Sequence, residues 1–391
     1  MKGLASAYVN LLKTSIGSGV LNFPYLFKTY GLTSTILLTS ATGLFAATGL
    51  YLLILCSQEL GRSADLGKLA ELSIPWASAL VDLSVFMKCF GVATSYMIIA
   101  GSLLPSVINP LFDIKVFKPL CLLFFVSCIA PFCYLKKMDA LKYSSFVGLI
   151  SIIFVIFASI FRFKHDGTVA DANINLFSTV PSILWLHGLG KFVFSFTCHQ
   201  NIFYIFAELE NNSLKRMKKL IIITATSAFI LYMSFGISNY MMYGETVKDN
   251  VLMNYPEDYL TTLVHFLYVI VMGVSYPLQL SPGKSYLINL IRRIFSWDKE
   301  SKKIDEFVNN FVMTLLILLT YFIAVSGVGL GIIFALVGAT ASTFMSMILP
   351  AVYYLYSDVE KTLFLTIVSY ISFLFGIFVF FATLISLALK K

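Results

Sequence analysis

Apolar residues run along this chain in blocks of about 18 or more, each long enough to cross a ~30 Å hydrocarbon slab as a helix. Read for apolar length and for Pro, Gly and charged breaks, the pattern predicts eleven spans. They cover residues 5–28, 32–58, 79–108, 117–135, 142–161, 185–208, 219–243, 260–291, 308–326, 328–356 and 363–389. The longest polar stretches, around 59–78, 162–184 and 292–307, leave no room for a soluble domain. The expectation is therefore a single all-α transmembrane domain over 1–389.

Composition removes the alternatives. Of 391 residues, 58% are apolar or aromatic and 12% charged, with a mean hydropathy of +0.86. A soluble domain carries roughly 25% charged residues. Half that charge cannot clothe a water-facing surface of this size, so a soluble enzyme and a disordered chain are both excluded. The net charge of +8 speaks to orientation rather than to nucleic acid. With a cytosolic N-terminus, 17 Lys and Arg fall on the inner side, eight on the outer side and three (Lys13, Lys88, Lys191) within spans. That bias favours the N-terminus in the cytosol and the C-terminus outside or in a lumen. The sequon Asn211-Asn212-Ser213 then lies on the cytosolic side, where it would go unused. Met1 to Ala5 lead straight into the first apolar block without a separate short apolar region and cleavage site, so that helix is expected to be retained. The six cysteines lie in or at the ends of apolar blocks, so no disulfide framework is expected.

Most spans are plain Leu, Ile, Val and Phe; two are not. The first carries Gly17-Ser18-Gly19 at mid-membrane and Pro24 shortly after. Glycine relaxes the backbone and proline removes a donor, so the helix should open there. The sixth mixes apolar residues with the polar run Ser195-Phe196-Thr197-Cys198-His199-Gln200-Asn201. Opened backbone at membrane depth is tolerated only where it is buried in protein or lines a cavity. Five crossings separate the two spans, so they run in opposite senses, as in an inverted-repeat transporter. The repeats would be 5–161 and 185–356, with 363–389 as an extra helix. The symmetry is topological, since the halves share no convincing sequence identity. A half-helix N-terminus suits a carboxylate and unwound carbonyls suit an ammonium, so a zwitterionic amino acid matches such a site. No acidic residue stands at the breaks of these two helices to neutralise a cationic side chain (Glu208 only closes span six at its cytosolic edge), which favours neutral amino acids.

At these residues a resemblance emerges. The run from Asn10 through Lys13, Gly17, Gly19 and Pro24 to Gly31 resembles the first-helix motif of the amino acid/auxin permease family. That family includes fungal vacuolar amino acid transporters and animal sodium-coupled neutral amino acid transporters. Phe194 to Asn201 followed by Glu208-Leu209 is similar to its sixth-helix signature. Tyr243-Gly244 and Asp249 to Pro256 resemble the loop before its eighth helix, and Ser275 to Gln279 resembles the eighth-helix motif of the vacuolar branch. The resemblance implies a LeuT-like fold and secondary transport of amino acids driven by protons or sodium. Carried over by position, it implies that Thr14, Ser15, Gly17, Ser18 and Gly19 contact the substrate's α-carboxylate and α-amine. Phe194, Ser195 and Phe196 would line the other side. Ser275 matches a hydroxyl that helps hold sodium in sodium-coupled relatives, but Lys13 stands where those relatives carry asparagine. A fixed ammonium fills the ion's electrostatic role and repels Na⁺ at close range, so H⁺ coupling or uniport is expected over Na⁺ coupling.

Among other intramembrane ionisable groups, His199 is the best titratable candidate for coupling. Asp82 reads as an interfacial acid, and Lys88 lies deeper, on the opposite helical face. The 36 Phe and 21 Tyr are expected mostly at lipid and at interfaces. Four scattered histidines without metal-ligand or triad spacing argue against an enzyme, and the absence of filter loops argues against a channel. An amino acid sensor of the same fold is the serious rival, although the tail before span one is only about four residues. The partners implied are an amino acid, H⁺ (less so Na⁺) and the bilayer, with no cofactor, nucleic acid or obligate protein partner. A vacuolar, lysosomal or plasma membrane is expected.

Overall fold

A computed structural model of the chain describes residues 3–112, 116–135, 144–169, 173–177, 183–296 and 302–389. Of the cations counted for orientation, Lys2, Lys115, Lys136, Lys137, Lys142, Lys299, Lys390 and Lys391 lie outside the described residues. The chain orders as α1 (Leu4–Ile16), α2 (Phe23–Tyr30), α3 (Leu32–Cys56), α4 (Leu66–Ser73), α5 (Ser78–Phe112), α6 (Lys118–Cys133), α7 (Ser144–Asp166) and α8 (Ile183–His187). It continues as α9 (Leu189–Phe196), α10 (His199–Glu208), α11 (Leu214–Tyr243), α12 (Tyr259–Phe295), α13 (Lys302–Val325), α14 (Leu330–Val337), α15 (Leu349–Tyr356) and α16 (Leu363–Leu389). No strand occurs among the described residues.

Among the described residues, eight stretches of continuous helix are long and apolar enough to cross a membrane. The expected spans missing from that set are the first and sixth, which are broken, and the fourth, α6, which has 16 residues. In lipid a helix satisfies its own backbone groups, so its contacts are decided by side chains. On α3 the small residues Thr35, Thr39, Thr42 and Ala46 recur at helical spacing and are buried, while Leu37 and Leu44 face outward. Small residues let helices approach closely where apolar lipid gives no hydrophobic driving force. Each of these threonines returns its hydroxyl to a nearby carbonyl, as Thr39 does to Thr35 O at 2.6 Å. The hydroxyls of all three threonines are thereby paired.

Side-chain and backbone bonds gather alternate connections at two ends of the bundle. At one end, Arg62 donates to Leu209 O at 3.0 Å and to Ala207 O, and Arg293 reaches Glu71 at 3.3 Å and Asp82 at 3.4 Å. At the other end, Leu32 N donates to Asn175 O at 3.0 Å and Val169 N to Met242 O at 2.9 Å. There too, Lys28 Nζ donates to Val247 O at 3.2 Å. Arg162, 3% exposed, donates to Asp258 Oδ1 at 2.5 Å and Thr261 Oγ1 at 2.7 Å, tying the end of α7 to the start of α12.

Two expectations need correction. A third span is irregular: between α14 and α15 the chain makes π-helical turns at Gly338–Ser342 and Phe344–Ile348. The first of these turns begins where the chain packs against the backbone of span six. A Cβ on Gly338 would sit 1.9 Å from Gly190 O, and one on Gly190 would sit 2.6 Å from Ala335 O. Only paired glycines allow that approach. The tyrosines are also not chiefly at lipid or interfaces, since ten of them are buried in the protein, Tyr30, Tyr232, Tyr240, Tyr268, Tyr276, Tyr353 and Tyr354 fully.

Candidate functional site

The break in span one begins at Gly17, whose φ of 39° and ψ of −131° no side chain adopts without strain. Its N–H closes α1 onto Lys13 O at 3.0 Å. Ser18 follows, then one 3₁₀ turn at Gly19–Asn22, then α2, which carries Pro24 in its first turn, where a missing N–H costs nothing. In span six, Thr197 and Cys198 separate α9 from α10.

The carbonyls freed at both breaks must find new donors, and buried tyrosines supply them. Tyr232 of α11 places its hydroxyl 2.9 Å from Ser15 O and 2.5 Å from Ser195 O. One hydroxyl therefore joins the two breaks. Its ring stacks on Phe23 at 4.3 Å and meets Phe196 edge-on at 5.1 Å. Tyr268 donates to Gly17 O at 3.4 Å. Ser195 Oγ points to Gly19 O at 3.4 Å and Lys191 O at 2.9 Å, and Ser18 Oγ pairs with Ser95 Oγ at 3.0 Å. Asn201 of α10 donates to Thr14 Oγ1 at 3.0 Å.

Between the breaks lies a narrow cavity. It is lined by residues 14–19 of span one, Phe194, Thr197 and Gln200 of span six, Lys88, Val92 and Tyr96 of α5, and Gln279 of α12. About 10 Å³ is open to the centre of a water molecule, space for one water and not for an amino acid. Thr14, Ser15, Gly17, Ser18, Gly19 and Phe194 thus come together on one surface. The other two substrate candidates lie behind it: Ser195 packs against Gly19, and Phe196 packs against Tyr232 and Gly43.

Lys13 turns into the bundle. It is 5% exposed, and its Nζ donates to Ser275 Oγ of α12 at 2.7 Å. A Cβ on Gly148 of α7 would lie 3.1 Å from Lys13 Cε, so the lysine stem occupies the room this glycine leaves. The pair that sequence placed on spans one and eight is in direct contact. His199 is fully buried and lies off the cavity, with Nε2 3.1 Å from Ala46 O and Nδ1 without a hydrogen-bond partner among the described residues. Asp82 and Lys88 part company as their helical spacing implied. Asp82 pairs with Arg293 at the end of the bundle, whereas Lys88 Nζ reaches Phe194 O at 3.2 Å and Ser342 Oγ at 3.0 Å. Sequence reasoning missed Tyr232, Tyr268 and Gln279. The usable signal was a hydroxyl or amide deep within an apolar run, where it must have a partner.

Comparisons with known proteins agree with this geometry. A family model described as "Transmembrane amino acid transporter protein" matches residues 2–389. "Vacuolar amino acid transporter 5" of Schizosaccharomyces pombe is 31% identical over 365 residues, covering 91% of this chain and 85% of its own. The Saccharomyces cerevisiae protein of the same name is 26% identical, over 89% of this chain and 87% of its own. Among solved structures, MhsT, crystallised in complex with L-phenylalanine, superposes with a TM-score of 0.63 at 12% identity, over 97% of this chain and 98% of that one. At that identity the match establishes the LeuT-like fold alone. These relatives are named as transporters, not enzymes, and this multi-pass membrane protein belongs to the transmembrane amino acid transporter (amino acid/auxin permease) family.

Proposed function

We propose that the chain is a secondary active transporter of neutral amino acids, coupled to protons and working by alternating access. The observation that carries this reading is the 2.7 Å bond from Lys13 Nζ to Ser275 Oγ. It puts an ammonium between spans one and eight, at the hydroxyl that in sodium-coupled relatives would face Na⁺. A lysine there supplies the positive charge without an ion, and it carries a proton that can be exchanged as the surroundings open. His199, buried beside the break of span six, is the second proton-handling group in this reading.

Substrate would bind where the two breaks meet. Thr14, Ser15, Gly17, Ser18 and Gly19 would hold the α-carboxylate and α-amine, with Phe194 on the facing side and Ser195 and Phe196 supporting that surface from behind. The cavity admits one water in this conformation, so binding requires spans one and six to part. A bundle containing these spans, rocking against the remaining helices, would expose the site to each side in turn. In this reading residues 5–161 and 185–356 are the two repeats and 363–389 the additional helix. The N-terminus is cytosolic and the C-terminus lumenal. The names of the fungal relatives support a vacuolar membrane.

Substituting Lys13→Asn tests the coupling. In proteoliposomes the variant should lose most of the response to an imposed pH gradient while gaining sensitivity to Na⁺. A variant that follows the pH gradient as the wild type does would contradict the assignment of Lys13.

A further inference from the structure

The transport reading leaves Lys88 without a task. Its side chain leaves the middle of α5 and is 2% exposed. Nζ donates to Phe194 O and Ser342 Oγ and stands 3.9 Å from the centre of the Phe194 ring. All of these partners are neutral, and no carboxylate pairs with Lys88 among the described residues. Phe194 O lies at the C-terminal end of α9, where the helix dipole favours a cation. The ammonium is therefore held by a carbonyl, a hydroxyl and a ring face, none of which cancels its charge. It has three N–H donors, of which two are used. Lys88 lines the same cavity as Gly17 to Gly19, and no Asp or Glu stands among the lining residues.

We propose that Lys88 is the specificity-determining residue that excludes cationic amino acids from this site. The proposal rests on the transport reading and adds a rule to it. The missing acid leaves a cationic side chain unpaired, and Lys88 actively repels it. Two like charges about 6 Å apart at an effective dielectric of about 20 disfavour each other by on the order of 100-fold. A neutral side chain of the same length escapes that penalty.

L-Norleucine and L-lysine share their four-carbon stem and differ at its end, a methyl group against an ammonium, so the pair isolates the effect. The measurement is the ratio of L-lysine to L-norleucine flux into proteoliposomes, which cancels losses of folding or turnover within each variant. The wild type should show a ratio on the order of 1 to 100. Lys88→Met should raise it at least tenfold, and Lys88→Arg, which keeps the charge, should hold it low. Lys88→Gln serves in place of the Met variant if that protein does not assemble. Norleucine flux with L-lysine carried at parity by the wild type would overturn the filter and leave the transport reading standing. An unchanged ratio in both neutral variants would do the same. Flux of neither amino acid by the wild type would overturn both.

Discussion

Tyr232 offers the sharpest test of how the two breaks are held. Its hydroxyl lies 2.9 Å from Ser15 O and 2.5 Å from Ser195 O, carbonyls more than 170 residues apart in sequence, in the last turns of α1 and α9 where the helices break. Tyr232→Phe keeps the ring against Phe23 and Phe196 and removes only the donor. A buried acceptor left without a donor costs about 1–3 kcal/mol. Tyr232→Ala also removes the ring and should cost about 3–5 kcal/mol, as core aromatic truncations do. The assay is equilibrium denaturation of the purified protein in one detergent, with both variants beside the wild type. The Phe variant should fall between wild type and Ala by a resolvable step. A Phe variant within about 0.5 kcal/mol of wild type, the range of inconsequential surface changes, would refute the bridging hydroxyl.

Two further predictions concern the scaffold. Gly338→Ala puts a methyl 1.9 Å from Gly190 O, so α9 and the π-helical turns must separate. The expected loss is at least about 1–3 kcal/mol, read as thermal stability in detergent, and wild-type stability would contradict the contact. For Asp258, desolvation raises the carboxyl's pKa, but the Arg162 hydrogen bond and the Thr261 N–H outweigh it and hold the group below the usual carboxylate value. A depressed pKa contributes stability that is present above the unfolded value of about 3.9 and lost as pH falls through the folded value. The wild type should therefore lose stability below about pH 4, while Asp258→Asn should be weaker at neutral pH and lack that step.

What could be read from the sequence was what is local. Apolar length sets the spans, and the helix bounds follow them closely: α3 ends at Cys56 and α16 begins at Leu363, where ends at 58 and 363 were expected. The opening at Gly17 was legible because glycine and proline act on their own backbone. The π-helical turns were not, because the stretch Gly338 to Ile348 reads as ordinary small and apolar residues. The close neighbour of Gly338, Gly190, is far away in the chain. Lys13 and Ser275 were each legible as candidates, yet their contact across 262 positions belongs to the packing. The same holds for Tyr232, which looks like any other tyrosine until two displaced carbonyls require its hydroxyl. Lys88 could be placed on a helical face by spacing, but not beside Phe194 and Ser342.

The most direct test of the account is uptake by the wild-type protein in proteoliposomes, with a panel of radiolabelled amino acids under imposed H⁺ and Na⁺ gradients. The account predicts flux of neutral amino acids that rises and reverses with the pH gradient and is unchanged when Na⁺ is replaced by another monovalent cation. Flux that requires Na⁺ would contradict the role assigned to the Lys13–Ser275 pair. Saturable binding without flux of any amino acid would contradict transport itself.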